Sequence, residues 1–367
     1  MLQAVPKSLP IFLVAATLFA GCFEGQPQPT DTASPTAAPN SCTPYPKPVI
    51  DRGDEDTFRG ANAFAFVIGL ICDHSAASPK ERPRVPGTPA HEGGAAFLES
   101  TLRANGFQAS FQNFSGEQYE ALVQGKQSSA AYSYYNGPLC KDQDLPRLRT
   151  IEFANLIGQG GSLGGPIFLL MAHWDSKRFA QGTQEPVLGA NDGASGVGVL
   201  LEFARTIQAE ETTFEIRILL TDGEDGFEDC HPLAGSMYYA DRLSQADGAR
   251  LSQGRILLLD MVGDSDVSFY KGCGTDEDLA DRIWNAAREL DVPQFKDQNN
   301  CQVVDDHTPF EESGLATVDV IAFPPFPDYW HTDGDTPDKL DESMLGNIGR
   351  VLQHVLEDLN DELPRLP

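Results

Sequence analysis

From residue 166 onward the sequence alternates between two kinds of apolar pattern, and this alternation restricts the fold more than any other feature. PIFLLMAHWD is an uninterrupted apolar run of strand length, ASGVGVLLEFARTIQ spaces its apolar residues as a helix does, FEIRILLTDGED is a second such run and GSMYYADRLSQ a second helix. RILLLDMVGDS, EDLADRIWNAAREL, ATVDVIAFPP and ESMLGNIGRVLQHVLEDLND continue the series as strand, helix, strand and closing helix. Unbroken apolar strands are the kind buried on both faces. Strand alternating with helix requires a sheet covered on both sides. The expected fold class is α/β: a single domain with a mostly parallel central sheet flanked by helices on both faces.

Upstream the pattern is less regular. FRGANAFAFVIGLICDHS reads as a helix, PGTP as a loop, and Ala95, Ala96, Phe97, Leu98 and Leu102 as the apolar side of a helix ending near Gly106. FQASFQNF and IEFANLIGQ alternate as strands do, and residues 115–148 read as irregular or partly inserted. No internal repeat is found.

The N-terminal region is expected to lie outside this fold. Residues 1–21 carry one early positive charge, Lys7, and then LPIFLVAATLFAG, which is too short to span a bilayer and has the length of a signal-peptide core. LFAGC resembles the lipobox of bacterial lipoproteins, with Phe19 where Leu is usual. That resemblance implies a chain exported and lipid-anchored through Cys22 on the periplasmic or cell-surface side. The alternative is secretion after cleavage nearby. Residues 22–48 are rich in Pro, Thr, Ser and Ala and read as a disordered tether. Residues 49–367 are then one catalytic domain.

Charge excludes one class of partner. With 26 Lys plus Arg against 54 Asp plus Glu the formal net charge is −28, which repels phosphate backbones and anionic lipid heads, so nucleic acid is not an expected partner. Beyond Cys22 there are Cys42, Cys72, Cys140, Cys230, Cys273 and Cys301. None has C-x-x-C spacing, which argues against a thiolate zinc site. An exported chain permits disulfides, and Cys273 with Cys301 is the expected pair.

The polar residues gather where the apolar strands end. AHWDSK brings His173 and Asp175, GANDGASG brings Asp192, and TDGEDG brings Asp222, Glu224 and Asp225. LDMVGDSD brings Asp260 and YWHTD brings His331. In open α/β sheets, ligands bind in the crevice beyond the carboxyl ends of the strands. Histidines converging there with carboxylates supply the N and O ligands that zinc takes. Of the adjacent pair Glu224 and Asp225, one carboxylate can bind metal while the other serves as general acid/base.

PRVPGTPAH, AHWDSK, GANDGASGVGVLLEFAR, LLTDGEDG, AGSMYYA, LLLDMVGD and WHTDGDTPDKLD, in this order, resemble the zinc-dependent aminopeptidase superfamily. The closer resemblance is to its glutaminyl-peptide cyclotransferase (glutaminyl cyclase) branch, over residue 58 to the end. Three features favour that branch: Asp-Ser-Lys after His173, the DDHTPF stretch at Asp305, Asp306 and His307, and Trp330 directly before His331. The resemblance implies an α/β/α sandwich and an aminoacyltransferase that turns the N-terminal glutamine of peptides or proteins into pyroglutamate with release of ammonia. It further implies one zinc on Asp192, Asp225 and His331, Glu224 as proton shuttle, Asp260 and Asp305 as acidic groups beside it, and Trp330 against the substrate. Most relatives carry Glu where this chain has Asp225, so with the shorter side chain either the strand must approach or the metal must shift.

Two other readings stand beside this one. A di-zinc aminopeptidase would hold its ions on His173, Asp192, Asp225, Asp260 and His331, with Asp192 bridging, and all five are present. A catalytically inactive binding protein on the same fold would need a broken acid/base position, and Glu224 is intact. His307 either assists the acidic network or caps a turn, and Lys177 and Arg178 read as charges at the surface or the substrate rim.

Overall fold

The computed structural model describes residues 49–53, 57–72, 83–126, 145–207, 212–225 and 233–362, all within one compact unit, Ala38–Pro367. The expected signal segment, tether and lipidated Cys22 lie outside the described residues. In chain order the elements are α1 (Gly60–Ile71), α2 (Pro89–Ala104), β1 (Gln108–Ser115), α3 (Gly116–Lys126), α4 (Leu145–Leu148), β2 (Glu152–Gly161) and β3 (Ile167–His173). Then follow α5 (Ala194–Thr206), β4 (Glu215–Thr221), α6 (Ala234–Asp241), α7 (Gln245–Leu251), β5 (Arg255–Asp260) and β6 (Phe269–Lys271). The chain continues with α8 (Glu277–Glu289), β7 (Phe295–Asn299), α9 (Thr308–Glu312), β8 (Val318–Ile321) and α10 (Glu342–Glu362).

The main sheet has six strands in the order β1-β2-β4-β3-β5-β8. β4, β3, β5 and β8 are parallel, whereas β1 and β2 run antiparallel at one side, so the sheet is mixed. The register pairs His173 with Thr221, Met171 with Leu258 and Asp260 with Ile321. The carboxyl ends of the four parallel strands therefore share one edge.

Both faces of β3 are apolar, and this is why its run has no polar alternation. Phe168, Leu170 and Ala172 pack with α1, α5, α8 and α10, while Ile167, Leu169 and Met171 pack with α6, α7 and α9. Full burial of each large side chain contributes about 1.5–3 kcal/mol. β4 departs from this pattern at its start. Glu215 and Arg217 are buried as an ion pair at 2.5 Å, Arg250 also pairs with Glu215, and Arg217 Nη1 donates to Tyr239 Oη at 3.0 Å.

Local signals explain several boundaries. The Thr88 hydroxyl accepts from His91 N at 3.2 Å and Pro89 opens α2, whose end is followed by Gly106 at φ 86°. Asp276 caps α8 by accepting from Leu279 N at 3.0 Å. Cys273 and Cys301 form a disulfide, as expected, with their Cα atoms 5.0 Å apart. No described helix is long and apolar enough to cross a membrane.

Two readings from sequence need correction. Part of the segment 115–148 is ordered: α3 buries Tyr119 and Val123 against Phe153, Leu233 and Met237, while residues 127–144 lie outside the described ones. GSMYYADRLSQ is not one helix. α6 ends at Asp241, and α7 starts afresh after Ser244, whose hydroxyl accepts from Asp247 N at 3.0 Å.

Candidate metal centre

His173 ends β3 and Asp260 ends β5; Asp192 precedes α5, Glu224 and Asp225 follow β4, and His331 lies on the loop after β8. Parallel pairing brings them together. His173 Nε2 is 3.0 Å from Asp192 Oδ1 and 3.3 Å from Asp260 Oδ1. His331 Nε2 is 3.0 Å from Asp225 Oδ1 and 3.4 Å from Asp192 Oδ2. Three ligand groups result among the described residues, each with its ligand atoms within 4.8 Å of one another: Asp192–Asp225–His331 and His173–Asp192–Asp260, two triads that share Asp192, and His173–Asp175–Asp225. The shorter Asp225 side chain reaches its triad. Gly193 is needed for this approach, because a Cβ there would stand 2.4 Å from the His173 ring.

The donor set fits a divalent cation. Asp192 Oδ2, both oxygens of Asp225, Asp260 Oδ1 and both ring nitrogens of His173 are buried without a hydrogen-bond partner. Buried polar atoms left without partners are costly, and cations bound at the two triads would satisfy all of these except His173 Nδ1, which faces Asp175. Their N and O chemistry is that of zinc.

Electrostatics show how crowded the charge is. Burial and then Asp225 push Asp192 up to about 6, against the pull of His173. Burial also pushes Asp225 up, but the neighbouring His331 outweighs it and leaves the carboxyl below the usual range. Burial depresses His173, yet Asp175, Asp192 and Asp260 raise it well above the ordinary imidazole value. His331 behaves alike, raised by Asp225 and Asp192 despite burial.

Glu224 is half-buried beside the triads. Burial raises its pKa well above the ordinary value, His173 opposes this, and Asp305, Asp225 and Asp306 add to it. Asp305 is also raised well above the ordinary carboxylate value, by burial and by Asp319, Asp260 and Asp306. His307 occupies the N-cap position of α9 and sends Nδ1 to within 3.3 Å of Asp319 Oδ2. Thr221 Oγ1 donates a short hydrogen bond to Asp306. Trp330 is stacked between Phe326 and His331, with ring centroids 4.1 and 3.8 Å away. His331 has φ 55°, a strained backbone for a residue with a side chain.

A second layer holds the ligands. Asp175 accepts from the backbone N–H groups of Glu224 (3.1 Å) and Asp225 (3.2 Å) and lies 3.4 Å from His173 Nδ1. Lys177 Nζ donates to the Asp225 carbonyl at 3.2 Å, a more interior place than a surface charge. Arg178 instead lies over the Phe179 ring, 5.1 Å from its centroid. Sequence reasoning gave no role to Asp335, which is fully buried and accepts from Asn191 N (2.8 Å) and Asp192 N (3.1 Å). Burial and the neighbouring Asp192 push it up to about 8. Nothing in WHTDGDTPDKLD sets it apart from Asp333 or Asp338.

Over 245 residues the chain is 26% identical to glutaminyl-peptide cyclotransferase of Bos taurus, covering 57% of this chain and 67% of that protein. It is 25% identical over 320 residues to the glutaminyl-peptide cyclotransferase-like protein of Bos taurus, covering 78% and 76%. The fold is similar to that of Bacteroides thetaiotaomicron glutaminyl cyclase bound to N-acetylhistamine, with TM-score 0.64, 26% identity and coverage of 83% and 99%. It is as similar to a leucine aminopeptidase precursor from Bacteroides thetaiotaomicron, with TM-score 0.64, 25% identity and coverage of 83% and 98%. The profile of peptidase family M28 matches residues 155–356, more than half of the chain and a span holding every ligand and acid/base candidate above, and the chain belongs to that family.

Proposed function

We propose that this chain is a glutaminyl-peptide cyclotransferase, acting on the N-terminal glutamine of peptides or proteins and releasing ammonia. The observation that carries the reading is Trp330 at the edge of the Asp192–Asp225–His331 triad, where the indole, with its faces covered by Phe326 and His331, sets an apolar edge beside the ligand that can border a substrate side chain and exclude water. The curated relatives bearing that name support it. Asp192, Asp225 and His331 would hold one zinc ion, which when bound supplies Lewis-acid polarisation of the γ-carboxamide.

Glu224 does the proton work. As the substrate α-amine attacks its own side-chain carboxamide carbon, Glu224 takes the amine proton and returns it to the departing nitrogen, so no net proton is gained or lost. Its raised pKa suits both directions of transfer. The charge of Asp305 favours the protonated form of Glu224, and Asp260 in turn raises Asp305. Attack is intramolecular, so the protein's other task is to hold the substrate in a folded conformer.

One observation favours a second reading: the His173–Asp192–Asp260 triad is also complete and shares Asp192. A di-zinc aminopeptidase would use both triads, with Glu224 as general base for water. Mass spectrometry of a Gln-initiated peptide, with zinc counted per chain, separates the two. Loss of ammonia supports cyclisation; release of a free amino acid with two zinc ions per chain replaces it with hydrolysis. On the sequence of its first residues we also read the chain as exported and tethered through Cys22.

A further inference from the structure

PRVPGTPAH contributes a residue that none of the chemistry above employs. Arg84 is 0% exposed, yet among the described residues its guanidinium makes no ion pair. It spends its donors on backbone carbonyls: Nε on Trp174 at 2.6 Å, Nη1 on Leu188 at 2.5 Å, and Nη2 on Asp175 and Gly189, both at 3.1 Å. Its own N–H donates to Ser176 Oγ at 2.9 Å.

These carbonyls belong to two loops with one thing in common. Trp174 and Asp175 directly follow His173, and Asp175 accepts from the amide of the ligand Asp225, while Leu188 and Gly189 lead into the ligand Asp192. The loops touch closely around the guanidinium. Gly189 has φ 61°, and a Cβ on it would stand 2.8 Å from Ser176 Cβ, 2.4 Å from Asp192 O and 3.2 Å from Arg84 Nη2. A planar fork with fixed donor directions can set the spacing of two such loops, which a flexible ammonium cannot. Loss of the fork would leave four carbonyls without this donor.

Charge and geometry pull in opposite directions here. Burial lowers the Arg84 pKa to about 10, with Asp175, Asp335, Asp225 and Asp192 opposing that fall, so the side chain is a cation at neutral pH. A fixed positive charge beneath a cation site weakens cation binding by repulsion, whereas correct loop spacing strengthens it. The sign of the effect of removing Arg84 therefore reports which role dominates.

We propose that Arg84 is a positioning residue for the metal centre, setting the separation of the loop of His173 and Asp175, which holds the Asp225 amide, from the loop leading into Asp192 by holding the carbonyls of both, with this geometric contribution outweighing its repulsion. The proposal rests on reading the carboxylate–histidine cluster as a metal centre and on neither choice of reaction. Zinc affinity is measured without substrate, by chelator competition, for the full chain, Arg84→Lys and Arg84→Met. Both variants are expected to bind zinc about 10–100-fold more weakly, as loss of outer-shell partners does elsewhere. The visible spectrum of cobalt-loaded Arg84→Lys is expected to change with the ligand geometry. Tighter zinc binding by Arg84→Met would overturn the proposal in favour of a charge effect. Lower melting temperatures with unchanged zinc affinity and cobalt spectrum would overturn it in favour of a purely structural role. If Arg84→Met does not fold, Arg84→Lys decides alone, since it keeps the charge and loses the fork; wild-type affinity there overturns the proposal. A wild-type chain that binds no zinc would overturn the metal centre itself, a result seen before any variant is compared.

Discussion

His331 Nε2 and Asp225 Oδ1 lie 3.0 Å apart, although one sits on the loop after β8 and the other just beyond β4. Each is the other's closest charge partner in the triad, and each shifts the other's protonation. Removing either should therefore do more than delete one ligand. Asp225→Ala and His331→Ala are expected to weaken zinc binding by at least about 100-fold, beyond the effect of outer-shell changes. Asp225→Glu is expected to retain zinc. Chelator competition on the purified variants measures all three.

Glu224→Gln should separate chemistry from metal binding. The amide keeps the shape but cannot move a proton, so kcat should fall by about 100-fold or more while zinc content stays at the wild-type level. Retained turnover would remove Glu224 from the mechanism.

Trp330→Ala tests the choice of reaction. With the wall beside His331 gone, kcat/KM for a Gln-initiated peptide should fall roughly tenfold, equal to about 1.4 kcal/mol of transition-state binding. Unchanged turnover would take away the main support for cyclisation.

Zinc binding should depend on pH with a definite sign. In the metal-free protein Asp225 and Asp192 raise His331 above its ordinary value, despite burial, and a protonated imidazole cannot ligate. Affinity should thus decline as pH falls through a range above that of a free histidine, with protons released on binding at neutral pH. Calorimetry in buffers of different ionisation enthalpy counts them.

Stability should show a separate acid limb from β4. Burial raises the Glu215 carboxyl, but Arg250 and Arg217 outweigh it and leave its pKa lowered. A depressed carboxyl stabilises the fold above its unfolded pKa and loses that contribution as pH falls through the folded value. Glu215→Gln is expected to cost about 3–5 kcal/mol near neutrality, because it takes from the buried Arg217 its nearest carboxylate. The gap to wild type should narrow in acid, where denaturant melts can follow it.

The parallel strands and their terminal residues were legible because both follow from simple rules. Unbroken apolar runs give two-faced strands, and parallel strands present their carboxyl ends together. α3 was hidden because only one stripe of it, Tyr119 and Val123, is apolar, and its packing partners Phe153 and Met237 lie far along the chain. The break between α6 and α7 could have been read from SQAD, a serine three residues before an acid, which is a helix-start signal. Asp335 and Arg84 could not be assigned from sequence. Their partners are backbone N–H and C=O groups, which every residue has, so no pattern of side chains marks them.

The order of the ligands along the chain has a consequence for synthesis. His173, Asp192 and Asp260 are all made before β8, whereas the other triad waits for His331, and the amides of Asn191 and Asp192 wait longer still for Asp335. A nascent or cleaved chain ending ahead of the His331 loop would hold one triad complete and the other open. Such a fragment would lack the arrangement that turnover needs, so completion of the centre waits for the segment from His331 to Asp335.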